Sequence, residues 1–187
     1  MNRLLPKTAI PFLIIFSFLF AHHSQAQTGD AATACEVILC LSTGSPPSQC
    51  SDSLKKFFSI QFRRPDKTLK ARGNFLKLCP ASDDSSEMSQ LVDAIAQGGG
   101  ACEAADLNRI LLRMGEVETY IVSNMPSFCK VYYNHEFTAL GELPKYVGTP
   151  YDGGRWVEAS AYPAAKAAYD ARIKAERKAQ QDADYYP

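Results

Sequence analysis

The sequence predicts a mainly α fold: a small helical domain stapled by disulfides, with an irregular aromatic, Gly- and Pro-rich segment and a charged helical tail. Three observations predict it. Apolar residues recur at helical spacing in successive stretches between residues 30 and 123. Six cysteines follow an export-type N-terminus. Composition shifts at Ser127 and again at Glu158. The 187 residues suit one domain with a tail, and 46% apolar content is enough to fill one core.

The first element is a targeting segment. Arg3 and Lys7 precede an apolar run from Thr8 to Ala21, and Ser24 and Ala26 stand at the small-residue positions of a cleavage site. This is the layout of a secretory signal peptide cleaved after Ala26. A membrane anchor is the alternative, but a spanning helix needs about 20 apolar residues. The expected division is therefore 1–26 signal peptide, 27–157 helical domain and 158–187 Ala-rich charged tail. No later segment is apolar enough to span a bilayer.

Cleavage removes two cations and no acid, so twenty Lys+Arg against twenty Asp+Glu becomes a mature charge of −2. That balance speaks against a nucleic-acid binder. His22 and His23 leave with the signal, so His135 alone is left for imidazole chemistry.

Residues 30–42 read as a first helix, with Asp30 or Thr33 as cap and Val37, Ile38 and Leu41 as its apolar residues. Thr43-Gly44-Ser45-Pro46-Pro47 breaks it. A second helix is expected over 48–60, where Cys50, Leu54, Phe57 and Phe58 share a face. A third is expected over 65–78, opened by Pro65 and stopped by Pro80. Asp83 to Glu87 supplies cap and acids for a fourth, whose stripe is Met88, Leu91, Val92 and Ile95 and whose end is Gly98-Gly99-Gly100. The stripe Leu107, Ile110, Leu111, Met114, Val117 and Ile121 predicts a long fifth helix over 101–123. Character changes at Ser127, and over 130–157 the aromatics Tyr132, Tyr133, Phe137, Tyr146, Tyr151 and Trp156 among Gly and Pro predict ordered irregular chain, with room for a short hairpin, laid over the helices. After Glu158 the only large aliphatic is Ile173, so a solvated helix or frayed tail is expected.

Cys35, Cys40, Cys50, Cys79, Cys102 and Cys129 all lie in the mature chain. Their even number and the export signal favour structural disulfides over a redox or metal role, and there is no C-x-x-C. Six cysteines allow 15 pairings. The sequence alone does not choose among them: Cys40 and Cys50 could face each other across the turn between the first two helices, and the set Cys40–Cys50, Cys35–Cys79 and Cys102–Cys129 stands against Cys50–Cys79, whose ends an up-down-up hairpin would bring together.

No catalytic, cofactor-binding or metal-binding motif is present. His135 with Glu136 and Asp152 would suit acid–base work, but a loop histidine bonded to backbone is the plainer reading. Glu36, Glu103 and Glu136 are carboxylates available to a wall hydrolase, none in a recognisable motif. The triple glycine lacks the G-K-[ST] of a phosphate loop.

Charge distribution says more. Residues 50–80 carry +6, through Lys55, Lys56, Arg63, Arg64, Lys67, Lys70, Arg72 and Lys77 against two acids. Residues 81–120 carry −6. Two solvated faces, or pairing of one half with the other, is one reading; a basic face for a partner is the other. Lys55, Lys56, Arg63 and Arg64 are the candidate partner surface, with Trp156 as candidate anchor and core packing as its competing role.

Three stretches together resemble the TrbM/KikA/MpfK family of conjugal transfer proteins. They are Cys35-Glu36-x3-Cys40-Leu41-Ser42; Cys50 with Phe57-Phe58-Ser59-Ile60 and Phe75-Leu76-x-Leu78-Cys79-Pro80; and Cys129 with His135-Glu136-Phe137-Thr138, Pro144-x-Tyr146-x-Gly148 and Gly153-Gly154-Arg155-Trp156-Val157. The similarity covers about residues 33–157. It implies a periplasmic accessory protein of a plasmid type IV secretion and mating-pair system, non-enzymatic, with components of that apparatus as partners. A cell-wall hydrolase and a small toxin-like effector are the alternatives.

Overall fold

The computed structural model describes residues 29–115 and 118–185. The expected signal peptide, 1–26, lies outside the described residues. The fold is mainly α. Helices α1 (Asp30–Leu41), α2 (Ser51–Ser59), α3 (Pro65–Leu76) and α4 (Ser86–Gly98) come first. Then follow α5 (Ala104–Ile110), an antiparallel hairpin of β1 (Leu112–Met114) and β2 (Thr119–Ile121), and α6 (Ser127–Tyr133). A second antiparallel hairpin, β3 (Lys145–Val147) with β4 (Arg155–Val157), precedes the long α7 (Tyr162–Tyr185).

Local signals place the helix ends. Gly29 enters α1 at φ 73°, a conformation that favours glycine, and Ser42 closes that helix by bonding Ile38 and Leu39 carbonyls. Pro65 opens α3, where its missing N–H costs nothing. Ser85 caps α4 by accepting from the Met88 N–H at 3.1 Å. The four helices then bury the expected faces in one core: Ala34, Val37, Ile38 and Leu41 from α1, Phe57 from α2, Leu76 from α3, and Leu91, Val92 and Ile95 from α4. Burial of these side chains is the main stabilising term, at about 1.5–3 kcal/mol for each large one.

Three disulfides close the frame: Cys35–Cys79, Cys40–Cys50 and Cys102–Cys129. The first ties α1 to the end of α3, the second ties the end of α1 to the turn before α2, and the third ties the approach to α5 to α6. Loops of this size contribute about 2–4 kcal/mol each, chiefly by constraining the unfolded chain.

Two expectations fail here. The long helix over 101–123 is absent; α5 ends at Ile110 and a hairpin follows. Leu107 and Leu111 enter the core as expected, but Leu112 and Met114 are exposed. The segment is held as strand because outside groups take its backbone. The Val122 N–H bonds the Leu111 carbonyl, Tyr146 Oη donates to Ile121 O at 2.7 Å, and Trp156 Nε1 donates to Val122 O at 3.0 Å. The chain after Ser127 is also less irregular than expected, since α6 spans Ser127–Tyr133.

The tail does not separate at residue 158. Glu158 Oε1 accepts from the Ala104 N–H at 2.8 Å, and Tyr169 packs over Gly148. Arg172 donates to the Asp152 carbonyl. Beyond that anchor α7 carries one large aliphatic, the half-buried Ile173, and is otherwise mostly Ala and polar residues, stapled by ion pairs such as Arg172–Glu176 (2.7 Å) and Lys178–Asp182 (3.2 Å).

Candidate functional site

The basic candidates occupy α2 and the turn into α3. Lys55, Lys56, Arg63 and Arg64 are all exposed. Lys56 bonds Asp30 of α1, and Arg64 makes a two-point contact with Asp66 at 2.9 and 3.1 Å. Among the described residues, Lys55, Arg63, Lys67 and Lys70 form no ion pair. On α3 and at its C-cap, Lys67, Lys70 and Lys77 recur at i, i+3 and i+10, a stripe on the side away from buried Leu76.

The opposed charges of the two halves do not neutralise each other by contact. Among the described residues the single bridge between 50–80 and 81–120 is Lys77–Asp93, at 3.9 Å with both side chains exposed. Arg72 is spent locally. Its Nε donates to Ile60 O at 3.2 Å and its guanidinium lies over the Phe57 and Phe58 rings, 5.1 and 5.4 Å from their centroids. Burial pulls its pKa down.

Trp156, the candidate anchor, is 4% exposed and belongs to the core. Its indole stands edge-on to Tyr146 at 5.2 Å. Its backbone is gripped by Asn108: the Trp156 N–H donates to Oδ1 at 2.8 Å and Nδ2 donates to the Trp156 carbonyl at 2.9 Å. A side chain so enclosed offers a partner no surface, so the role of anchor is withdrawn.

The candidate acid–base groups are used locally. His135 Nδ1 accepts from the Phe137 N–H at 3.2 Å, and Asp152 accepts from Thr149 within a separate turn. Glu36 and Glu136 are exposed. Glu103 is different. It stands with Glu158 on a cleft of about 520 Å³ whose other walls include Phe58, Tyr132 and Tyr133. Part burial, then Asp106 and Glu158, push the Glu103 pKa up. Burial, then Glu158 and Glu103, push Tyr133 up to about 12. No sequence signal marks Glu158, which meets α5 across 54 residues of chain.

Among the described residues no group of three or more His, Cys, Asp or Glu side chains is placed to hold a metal, and no helix is long and apolar enough to cross a membrane. A protein-family model described as TrbM matches residues 26–170. Comparison with curated proteins and with solved structures finds no match.

Proposed function

The chain belongs to the TrbM family of conjugal-transfer proteins, and on that premise we propose that it is an exported accessory protein of mating-pair formation. It works in the periplasm, after cleavage at Ala26, by binding another component of the type IV secretion apparatus. The basic face of α2 and α3 is the contact surface, and its partner presents acidic side chains.

One observation carries this reading. The basic half bears +6, yet among the described residues its ionic contact with the acidic half is one long exposed pair, Lys77–Asp93 at 3.9 Å. Exposed pairs of that kind contribute about 0–1 kcal/mol. The charge is therefore left to act outward, where it steers association and selects partners. The three disulfides suit an oxidising compartment.

The test reverses Lys55, Lys56, Arg63 and Arg64 to Glu together. The melting temperature should move by no more than a few degrees, because of the two ion pairs lost, Lys56–Asp30 and Arg64–Asp66, only the first reaches beyond α2 and α3, and both are exposed. Plasmid transfer should fall, and salt should affect the residual interaction less. A large loss of stability, or full transfer with unchanged stability, refutes the basic-face reading. N-terminal sequencing of the exported form tests the cleavage: Gln27 is expected, and an intact Met1 on membrane-bound protein overturns it.

A further inference from the structure

The Glu103–Glu158 cleft goes beyond that reading. Leu41, Leu54, Phe58, Tyr133 and Leu140 give it apolar and aromatic lining, beside polar groups that include Thr43 and Ser160. At about 520 Å³ its volume falls within the about 300–1,000 Å³ range of small-ligand sites. Glu103 and Glu158 are its only charged lining residues, and both are exposed at the mouth.

The cations nearby are already engaged. Arg109 bonds Asp106 at 2.8 Å, Arg72 is held by Ile60 and the phenylalanine rings, and Lys145 bonds Glu142 at 2.8 Å. Among the described residues no Lys or Arg pairs with Glu103 or Glu158. The Glu158 carboxylate is fixed by the Ala104 N–H. Tyr132 is fixed by donating to the Leu41 carbonyl, and its burial raises its pKa, so it stays a neutral ring. The cleft thus sets apolar and aromatic lining beside two exposed carboxylates that no Lys or Arg among the described residues neutralises.

We infer that this cleft binds an alkylammonium group on an apolar stem, the chemistry of a lysine side chain or a free aliphatic amine. The stem lies against Leu54, Leu140 and the rings, where it loses contact with water. The ammonium stays at the mouth, paired with Glu103 and Glu158 and attracted to the ring of the half-buried Tyr133. An apolar molecule of the same shape lacks the rim contacts, and an anion is repelled by them.

The experiment follows backbone amide signals of Gly44, Gly98 and Gly100, which line the cleft, in nitrogen-labelled oxidised protein. The probes are acetyl-Ala-Lys-Ala-amide, its norleucine isostere and cadaverine. The lysine peptide should shift these amides in a saturable way and the norleucine peptide should not. Saturation by the peptide alone assigns a polypeptide source, and equal saturation by cadaverine assigns a free amine; both support the site. Glu103→Gln with Glu158→Gln should weaken binding about tenfold, since two exposed charge pairs are lost. Gln at 158 still accepts from the Ala104 N–H, so an unchanged melting temperature is the check that the fold survives. If the double variant is less stable, Glu103→Gln alone is read, with a smaller loss expected. No shift with either amine, equal binding of the norleucine peptide, or full affinity in a folded variant overturns the inference.

Discussion

Replacing Asn108 by Ala tests how the second hairpin is fastened to the helices. The Asn108 amide stands in for a neighbouring strand: it accepts from the Trp156 N–H at 2.8 Å and donates to the Trp156 carbonyl at 2.9 Å. Alanine leaves both backbone groups unpaired in a part-buried site. Each stranded group costs about 1–3 kcal/mol, and partial access to water favours the low end, so the loss is about 2–3 kcal/mol. For a chain of this size that lowers the melting temperature by about 4–12 °C. The assay is thermal unfolding by circular dichroism under oxidising conditions. Asn108→Asp refines it, because a carboxylate still accepts from the N–H but faces the carbonyl. Its folded pKa must rise, so its stability is greatest below the unfolded value of about 3.9 and falls as pH increases. Trp156→Ala is the companion variant, with a larger loss of about 3–5 kcal/mol from the core. A melting temperature within a degree of the parent protein for both Asn108→Ala and Trp156→Ala refutes the reasoning.

Two further outcomes are expected. In Gly98→Ala the new Cβ falls 2.6 Å from a Tyr132 ring carbon, so α4 and α6 must part or the ring must leave the Leu41 carbonyl; a loss of about 1–3 kcal/mol and a changed near-ultraviolet tyrosine signal should follow. Burial, then Glu158 and Glu103, hold Tyr133 neutral up to about 12, whereas an unfolded tyrosine ionises near about 10. Stability should therefore be complete below about pH 10 and drain away as pH rises through about 12, with phenolate absorbance appearing together with unfolding.

The sequence carries the helical half of the fold on its surface. Phe57, Leu91, Val92 and Ile95 lie inside because each repeats at helical spacing beside its neighbours, and cap and stop residues bracket each helix. The stretch 107–121 misleads for a physical reason. Its apolar residues fit a helical stripe, but the carbonyls of Ile121 and of the adjoining Val122 are claimed by Tyr146 and Trp156 from distant chain. Tertiary bonds decide there, and local spacing is blind to them. Trp156 illustrates the same limit: the side chain type fits a hot spot and a core equally well, and only its partners choose. The basic cluster of α2 and α3 is readable from composition alone, whereas the joining of Glu103 to Glu158 needs the fold.

The connectivity of the disulfides has a consequence for biogenesis. Cys40–Cys50 and Cys102–Cys129 join cysteines that are consecutive along the chain, whereas Cys35–Cys79 encloses the first of these rings. A polypeptide threaded N-terminus first into an oxidising compartment presents Cys35 and Cys40 together, long before Cys79 arrives. An oxidase that joins whichever thiols come first makes Cys35–Cys40, and Cys50 is then left to the wrong partner. Growth of α1 works against that error, because five residues of helix turn the two side chains to different faces. Shuffling by thiol–disulfide exchange is the remaining route from a mispaired chain to the native one. For a chain exported as proposed, the covalent frame that stabilises the finished domain would thus make maturation depend on the supply of isomerase.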